Sequence, residues 1–275
     1  TFLGKMLVNQ DLNKVSGPRI LAIANQKGGV GKTTTAINLA TALAAVDNQV
    51  LVIDFDPQGN ASSSLGIDRD DRAVNSYHVV IGEVALDDAI RSTDIPGLFI
   101  VTSNNDLAGA AVELVDADDR EYALRGAINA CSQKFDYVLI DCPPTLDLLT
   151  INALVATQGV LVPLQCEFLA LEGISDLVQL INRVEGAFNP GLEIQGIVLT
   201  MFDIRNNLSG MVANDVREFF GDKVYKTVIP RNVRVSEAPS HGRPVLIYDM
   251  KCAGSKAYLH LADEVLKREH QQVAV

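Results

Sequence analysis

Apolar residues along this chain are concentrated in short, nearly continuous runs, and longer mixed stretches separate the runs. Such runs are typical of strands in a parallel sheet that is covered on both faces. The runs predict strands at residues 19–25, 49–54, 98–102, 137–141, 159–163, 194–200 and 226–229. We therefore expect a sheet in which most strands are parallel.

The stretches between these runs have the length and composition of helices. They predict helices at residues 33–45, 107–115, 120–131, 146–156, 169–184 and 209–220, and a final one at residues 255–269. Because strands and helices alternate, we expect an α/β fold, with a doubly wound, mostly parallel sheet flanked by helices. Ligands of such sheets bind at the carboxyl ends of the strands. Polar residues that follow strands are therefore the first candidates for a functional site.

The composition is that of a globular chain, with an uneven distribution of charge. Of the 275 residues 48% are hydrophobic, but no apolar run approaches the ~20 residues of a membrane span, and no membrane partner is expected. The net charge is -11; residues 1–200 carry 12 Lys and Arg against 25 Asp and Glu, whereas residues 201–275 carry 11 against 9. A polyanion should therefore contact the C-terminal quarter. We expect a disordered leader at residues 1–18 and a single domain at residues 19–275.

The four cysteines do not have the spacing of a metal site. Cys131, Cys142, Cys166 and Cys252 include no C-x-x-C pair, so neither a zinc site nor an iron–sulfur cluster is predicted. We expect them to be reduced residues of a cytoplasmic protein.

A glycine-rich stretch with two lysines follows the first predicted strand. Residues 27–35 read Lys-Gly-Gly-Val-Gly-Lys-Thr-Thr-Thr and precede a predicted helix. Glycines let successive N–H groups turn inward and form an anion-binding concavity at a helix N-terminus. In a phosphate-binding loop Lys32 would reach the β- and γ-phosphates, and the Thr33 hydroxyl would bind Mg²⁺. The predicted nucleotide-binding residues of the loop are Lys27, Gly28, Gly29, Val30, Gly31, Lys32, Thr33 and Thr34.

The loop departs from the general pattern G-x-x-x-x-G-K-[ST] at its first glycine. Gln26 occupies that position and Lys27 follows it, which gives the K-G-G-x-G-K-T form of the deviant Walker A motif. A glycine-rich turn with two solvated lysines is the alternative. The order of strand, loop and helix is the one that phosphate binding requires, and it favours the phosphate site.

Two predicted strands end in aspartates on the ligand side of the sheet. Asp54 and Asp56 are two residues apart, so in extended backbone they would share a face and both could point toward a γ-phosphate. Asp141 ends another strand and is predicted to hold Mg²⁺, as a Walker B aspartate does. Each aspartate alone could be a helix cap or a turn former. Their occurrence together with the glycine loop favours the functional interpretation.

The least regular part of the chain is residues 59–81, which are rich in Ser, Asp, Gly and Asn. Either this segment is a solvated loop, or it is a switch segment whose order depends on the nucleotide. The sequence favours neither interpretation.

These motifs resemble those of one family, the ParA/Soj chromosome- and plasmid-partition ATPases of the MinD-like deviant Walker superfamily. The matching stretches are residues 24–35, 54–60, 140–144, 170–173, 200–203 and 229–240. The first of them identifies the superfamily, and the last is more specific to ParA.

The resemblance implies an enzyme that hydrolyses ATP to ADP and phosphate with the help of Mg²⁺. In the family, ATP is sandwiched between the subunits of a homodimer, and Lys27 would reach across to the partner's phosphates. By resemblance Asp56 would orient or activate the attacking water, with Asp54 supporting the site. The predicted catalytic residues are thus Lys27, Lys32 and Asp56. The residues expected around the adenine are Met201, Pro230 and Asn232.

The ATP-bound dimers of the family bind double-stranded DNA without sequence preference, through basic residues in the C-terminal part. The matching positions are Arg205 and Arg234, and contacts of this kind to phosphates give affinity that falls with salt. A solvated surface role is the alternative for each arginine. Residues 250–254 depart from the family, because Met-Lys-Cys-Ala-Gly stands where relatives often carry a basic residue just before the glycine. Either one DNA contact is missing, or Lys251 and Lys256 replace it.

The resemblance also implies a partner and a location. A ParB/Spo0J-like protein would stimulate hydrolysis, and the protein would be cytoplasmic and associated with the nucleoid. The alternatives on the same scaffold are a MinD-like membrane-cycling regulator and a small-molecule metabolic ATPase. The acidic charges of Asp263, Glu264 and Glu269 in the last predicted helix disfavour a MinD-type membrane anchor. We expect no helix-turn-helix domain ahead of residue 19, and hence no operator-specific repression.

Overall fold

The computed structural model describes residues 17–167 and 170–273, so most of the leader predicted at residues 1–18 lies outside the described residues. The strands are β1 (Arg19–Ile23), β2 (Val50–Asp54), β3 (Ile90–Ser92), β4 (Leu98–Val101), β5 (Tyr137–Asp141), β6 (Gly159–Gln165), β7 (Glu193–Phe202) and β8 (Val224–Pro230). They form one sheet in the order β3-β4-β2-β5-β1-β6-β7-β8.

All seven predicted strands are present, and they pair with one another in parallel. The eighth, β3, was not predicted; it is antiparallel to β4 at the sheet edge. It has three residues, of which Arg91 and Ser92 are exposed, and so lacks the apolar run by which the other strands were found. The predicted fold class is confirmed.

Helices cover both faces of the sheet. They are α1 (Lys32–Ala44), α2 (Asn60–Ser64), α3 (Ser76–Val80), α4 (Leu86–Ala89), α5 (Leu107–Glu113), α6 (Ala123–Ala130), α7 (Leu148–Ala156), α8 (Ala170–Ala187), α9 (Asn207–Phe220), α10 (Val233–Glu237), α11 (Val245–Tyr248) and α12 (Ala253–Val273). Helices α1, α11 and α12 pack on one apolar layer, and α5 to α9 on the other. The predicted start of α8 at residue 169 lies outside the described residues. Within the described part of the chain, no helix combines the length and apolarity needed to cross a membrane.

The irregular segment at residues 59–81 is anchored in the structure. Arg72 and Asn75 are buried, and the Asn75 side chain caps α3 by accepting from the Tyr77 N–H (2.9 Å) while it donates to the Arg72 carbonyl (2.9 Å). The Ser76 N–H donates to the Thr102 carbonyl after β4 (2.8 Å). The segment is therefore not a solvated loop throughout, and its role as a nucleotide-dependent switch stays a prediction.

Gly59 is a point at which this segment lies directly against the chain after β4. Its φ is +62°, and a Cβ there would lie 2.6 Å from the Ser103 carbonyl oxygen and would also meet the Arg72 guanidinium. We expect Gly59→Ala to lower the free energy of unfolding by about 1–3 kcal/mol, measured by urea denaturation. Gly82→Ala is the matched control, because Gly82 has a φ of +81° but open space around it. Equal losses in the two variants would show that the close approach contributes nothing.

Candidate nucleotide-binding site

The glycine-rich loop joins the carboxyl end of β1 to the start of α1. Gly29 (φ 74°) and Gly31 (φ 92°) have left-handed backbone, which glycine adopts at little cost. Helix α1 begins with a bond from the Thr35 N–H to the Gly31 carbonyl (2.9 Å). The Thr200 hydroxyl of β7 donates to the Val30 carbonyl (2.8 Å) and holds the loop from the side. The arrangement is that of an anion-binding helix N-terminus.

Lys32 is a buried cation inside this loop. Its side chain is only 6% exposed, and its Nζ donates to the Lys27 carbonyl oxygen at 3.2 Å. Burial lowers the pKa of Lys32, and the negative charges of Asp141 and Asp56 oppose that shift. A bound anion would stabilise the charged form further, because a buried cation is costly unless it is paired.

Asp141 and Asp54 form a buried pair of carboxylates at the carboxyl ends of β5 and β2. The two residues are partners in the strand register, and both are fully buried. Burial, and then the charge of Asp54, raise the pKa of Asp141 well above its usual range. Neither carboxylate oxygen of Asp141 has a hydrogen-bond partner among the described residues. Such orphaned oxygens are suited to a hard cation.

Thr33 lies beside Asp141, as the prediction of a shared Mg²⁺ site requires. Its hydroxyl faces the carboxylate and lowers the pKa of Asp141, which partly opposes the upward shift caused by burial. The two groups do not reach the geometry of a full hydrogen bond, so both oxygens are available to a third atom. The structure thus brings together the two residues predicted to bind the metal.

Asp54 is held by the helix that follows it. The Ser62 N–H (2.8 Å) and the Ser62 hydroxyl (2.6 Å) both donate to the same oxygen of Asp54, and burial raises the pKa of Asp54 to about 6. Strand β2 ends at Asp54, so Asp56 lies beyond the strand in which the two residues were expected to share a face. Asp54 therefore anchors α2.

Asp56 lies in the turn between β2 and α2. One of its carboxylate oxygens accepts from the Gln58 N–H (2.9 Å), and its carbonyl accepts from the Gly59 N–H (2.9 Å). Asp56 is close enough to Lys32 for its negative charge to oppose the lowering of that lysine's pKa by burial. Asp56 is thus within electrostatic range of the loop, and its water-orienting role stays a prediction.

Lys27 has a fixed backbone and a half-exposed side chain. The buried Asn25 side chain accepts from the Lys27 N–H (2.9 Å) and donates to the Pro163 carbonyl (2.8 Å). The Lys27 Nζ lies 2.6 Å from an oxygen of Glu167, which follows β6. A solvated ion pair of this kind contributes roughly 0–1 kcal/mol, so another anion could replace Glu167. The structure thus pairs Glu167 with Lys27.

The three residues predicted around the adenine lie at the carboxyl ends of β7 and β8. Pro230 is the register partner of Phe202, which follows Met201. Met201 has a φ of 50°, and such strain in a non-glycine residue occurs preferentially at functional sites. The Asn232 side chain caps α10 by accepting from the Arg234 N–H (2.9 Å). Asn232 therefore has a structural role besides the predicted one.

The first predicted DNA-binding residue, Arg205, is 84% exposed and is paired with Asp203 (2.9 Å). This pairing, led by the hydrogen bond from the Arg205 side chain, lowers the pKa of Asp203 to about 2. DNA phosphate would have to compete with that carboxylate.

The other two predicted DNA contacts share a surface. The half-exposed Arg234 lies 3.0 Å from an oxygen of Glu237 and 3.6 Å from one of Asp249. Lys251 is exposed, and its N–H donates to the Asp249 side chain (3.1 Å). The structure thus brings Arg234 and Lys251 together around one carboxylate.

Sequence reasoning missed three residues that hold the loops of the site: Asn25, Ser62 and Thr200. Asn25 and Thr200 fall within the motifs that carry the resemblance, so a signal for them existed. Ser62 lies in a run of three serines, and nothing local distinguishes the one that binds Asp54.

Comparisons with known proteins agree with this geometry. Residues 18–194 match the family of AAA domains. The chain is 59% identical to the chromosome partitioning protein ParA of Caulobacter vibrioides over 258 residues, which cover 93% of this chain and 97% of that protein. It is 49% identical to the sporulation initiation inhibitor protein Soj of Bacillus subtilis over 247 residues, 90% of this chain and 98% of that one. The chain belongs to the ParA/Soj family. The resemblance stated from the motifs is confirmed.

Solved structures share the fold of this ParA/Soj family member. Cobyrinic acid a,c-diamide synthase from Mycobacterium smegmatis, with bound ADP and magnesium, is 38% identical and superposes with a TM-score of 0.82, over 92% of this chain and 96% of that one. The cell division ATPase MinD of Pyrococcus furiosus is 30% identical, with a TM-score of 0.75 over 90% and 98% of the two chains.

Proposed function

We propose that this chain is an ATP-dependent DNA-partition ATPase that acts in chromosome or plasmid segregation. Mg-ATP drives its dimerisation and its non-specific binding to double-stranded DNA, and hydrolysis, stimulated by a ParB/Spo0J-like partner, resets the cycle. The observation that carries the proposal is the buried Asp141, whose two oxygens have no hydrogen-bond partner in the described part of the chain and lie beside Thr33 at the phosphate-binding loop.

The residues present fit a nucleotide with Mg²⁺. Thr33 and Asp141 would hold the metal, and Lys32 with the N–H groups of the loop would hold the phosphates. Among the described residues no group of three or more His, Cys, Asp and Glu could bind a metal alone, so oxygens of the nucleotide would complete the site. When bound, Mg²⁺ neutralises charge on the phosphates.

Several residues of the chain then have separate roles in hydrolysis. Asp56 orients or activates the attacking water, and Lys32 stabilises charge on the phosphates from within the loop. Lys27 acts on the phosphates of the partner subunit, and for that it must leave Glu167. Met201, Pro230 and Asn232 surround the adenine.

Sequence identity favours partition over the other two functions on this scaffold. The chain is 59% identical to a chromosome partitioning protein, against 38% to the diamide synthase and 30% to MinD. DNA contact through Arg205, Arg234 and Lys251 would place the protein on the nucleoid in the cytoplasm.

The test is DNA co-sedimentation in the presence of ADP, ATP or a non-hydrolysable ATP analogue. We expect retention on DNA with ATP and with the analogue, but not with ADP. Equal sedimentation in all three states would contradict the nucleotide switch. Anionic liposomes in a parallel series test the MinD-like alternative, because ATP-dependent binding to them would contradict DNA as the target.

A separate prediction concerns the DNA surface. Arg234→Glu should weaken DNA binding and reduce the slope of log K against log salt by about 1, because it removes one phosphate contact. The slope is measured by fluorescence anisotropy with ATP at several salt concentrations. Basal ATPase should not change. Arg125→Glu, on the exposed face of α6, is the control; if both variants bind DNA like the wild type, Arg234 is not a contact.

A further inference from the structure

Arg72 is a buried cation whose contacts are main-chain carbonyls and one hydroxyl. Its side chain is 2% exposed. One terminal nitrogen donates to the carbonyls of Gly59 (3.0 Å) and Ser103 (3.1 Å). The other donates to the Ser63 hydroxyl (2.8 Å) and the Ile67 carbonyl (2.6 Å). One guanidinium thus joins three points of the segment after β2, one of them in α2, to the chain after β4.

Burying the Arg72 guanidinium costs free energy, and this cost is high for a residue that has only a structural role. The Nε of Arg72 is buried and has no hydrogen-bond partner within the described ranges. Burial lowers the pKa of Arg72, and the charge of Asp54 partly compensates. An uncharged, apolar side chain would avoid that cost but would remove the shared donor that joins the carbonyls of Gly59 and Ser103.

The Gly59 carbonyl connects Arg72 to Asp56. Gly59 closes the turn in which Asp56 lies, because its own N–H donates to the Asp56 carbonyl (2.9 Å). Gly59 has left-handed backbone, and its carbonyl begins α2 by accepting from the Ser63 N–H (3.1 Å). The same nitrogen of Arg72 donates to this carbonyl and to the Ser103 carbonyl, and so ties the turn to the chain after β4.

The Ser103 carbonyl connects Arg72 to the carboxylate pair. The Ser103 N–H donates to the Ser62 hydroxyl (3.0 Å), which in turn donates to Asp54 (2.6 Å). Asp54 lies beside Asp141 in the sheet. The contact through Gly59 therefore connects Arg72 to Asp56, and the contact through Ser103 connects it to Asp54.

We propose that Arg72 is a positioning residue for ATP hydrolysis, which holds the turn at residues 56–59 so that Asp56 faces the attacking water. The inference rests on the proposed function, in which Asp56 has that role. Arg72 itself donates to none of the phosphate-loop residues. Its loss should therefore affect turnover rather than nucleotide binding.

The test variant is Arg72→Lys, which keeps the charge but replaces the planar fork of donors with a single ammonium. A lysine cannot reach all four acceptors together. We expect kcat for ATP to fall about 10- to 100-fold, because a misplacement of about 1 Å has that effect, while the Kd for ATP changes less than about twofold. Arg69→Lys, at an exposed position three residues earlier, is the matched control and should keep both values.

Two results would overturn the inference. One is an unchanged kcat in Arg72→Lys. The other is a parallel loss of kcat, ATP affinity and thermal midpoint, which would make Arg72 a fold contact only. If Arg72→Lys does not fold, Ser63→Ala decides, because the Ser63 hydroxyl accepts from Arg72 and donates to Gly59. It should lower kcat with ATP affinity intact, and a wild-type kcat would overturn the inference.

Asp56→Ala, assayed in parallel, separates this inference from the proposed function. If Asp56→Ala hydrolyses ATP normally, the role of Asp56 is wrong, and the positioning role of Arg72 is wrong with it. If Asp56→Ala is inactive while Arg72→Lys is fully active, only the inference about Arg72 is wrong.

Discussion

Replacing Lys32 with alanine is expected to abolish tight ATP binding. Lys32 is the buried cation of the loop, and its Nζ lies 3.2 Å from the Lys27 carbonyl in the centre of the turn. Removing one partner of a buried, charged contact costs about 2–5 kcal/mol, which corresponds to roughly 30- to 5,000-fold in Kd. Isothermal titration calorimetry with ATP and Mg²⁺ measures the change.

Lys134→Ala is the control variant for this experiment. Lys134 is exposed and precedes β5, at the opposite end of that strand from Asp141, so its loss should leave Kd unchanged. Circular dichroism of both variants checks that the fold persists. An ATP affinity of Lys32→Ala equal to that of the wild type would show that the loop does not hold the phosphates.

Most strands could be predicted from the sequence because they are buried in the sheet. Parallel strands that are covered on both faces must be apolar throughout, and β2, β5 and β6 are buried along almost their whole length. Edge strand β3 has no such requirement, since one side of it has no neighbouring strand. The sequence pattern therefore reports the strands that contain an apolar run, including β8 at the opposite edge, and misses the short β3.

The site was predictable where its chemistry is local in sequence. Lys32 and Thr33 are fixed by a loop of a few residues, and Asp141 ends a strand next to β1 in the sheet. Glu167 and Arg72 act on residues far away along the chain: Glu167 pairs with Lys27 across 140 positions, and Arg72 binds Ser103 across 31. Such contacts depend on the folded topology, and no local pattern encodes them.

Asp56→Ala should stop turnover while ATP binding and ATP-dependent dimerisation persist. Asp56 lies beside Lys32 in a turn closed by Gly59, so it can act on a water molecule without holding the phosphates itself. Loss of a residue that orients or deprotonates the nucleophile lowers the rate by about 10²- to 10⁴-fold. Phosphate release measures turnover, and size-exclusion chromatography with ATP measures dimerisation.

The separation of these two readouts is what makes Asp56→Ala decisive. A carboxylate near the phosphates repels them, so its removal should leave ATP affinity equal or higher, and a dimer that cannot hydrolyse ATP should accumulate. Asp70→Ala, at an exposed position after α2, controls for loss of a negative charge in the same segment. Undiminished hydrolysis would remove Asp56 from the reaction. Loss of both ATP binding and dimerisation would instead show that Asp56 maintains the structure of the loop. Another group would then hold the water.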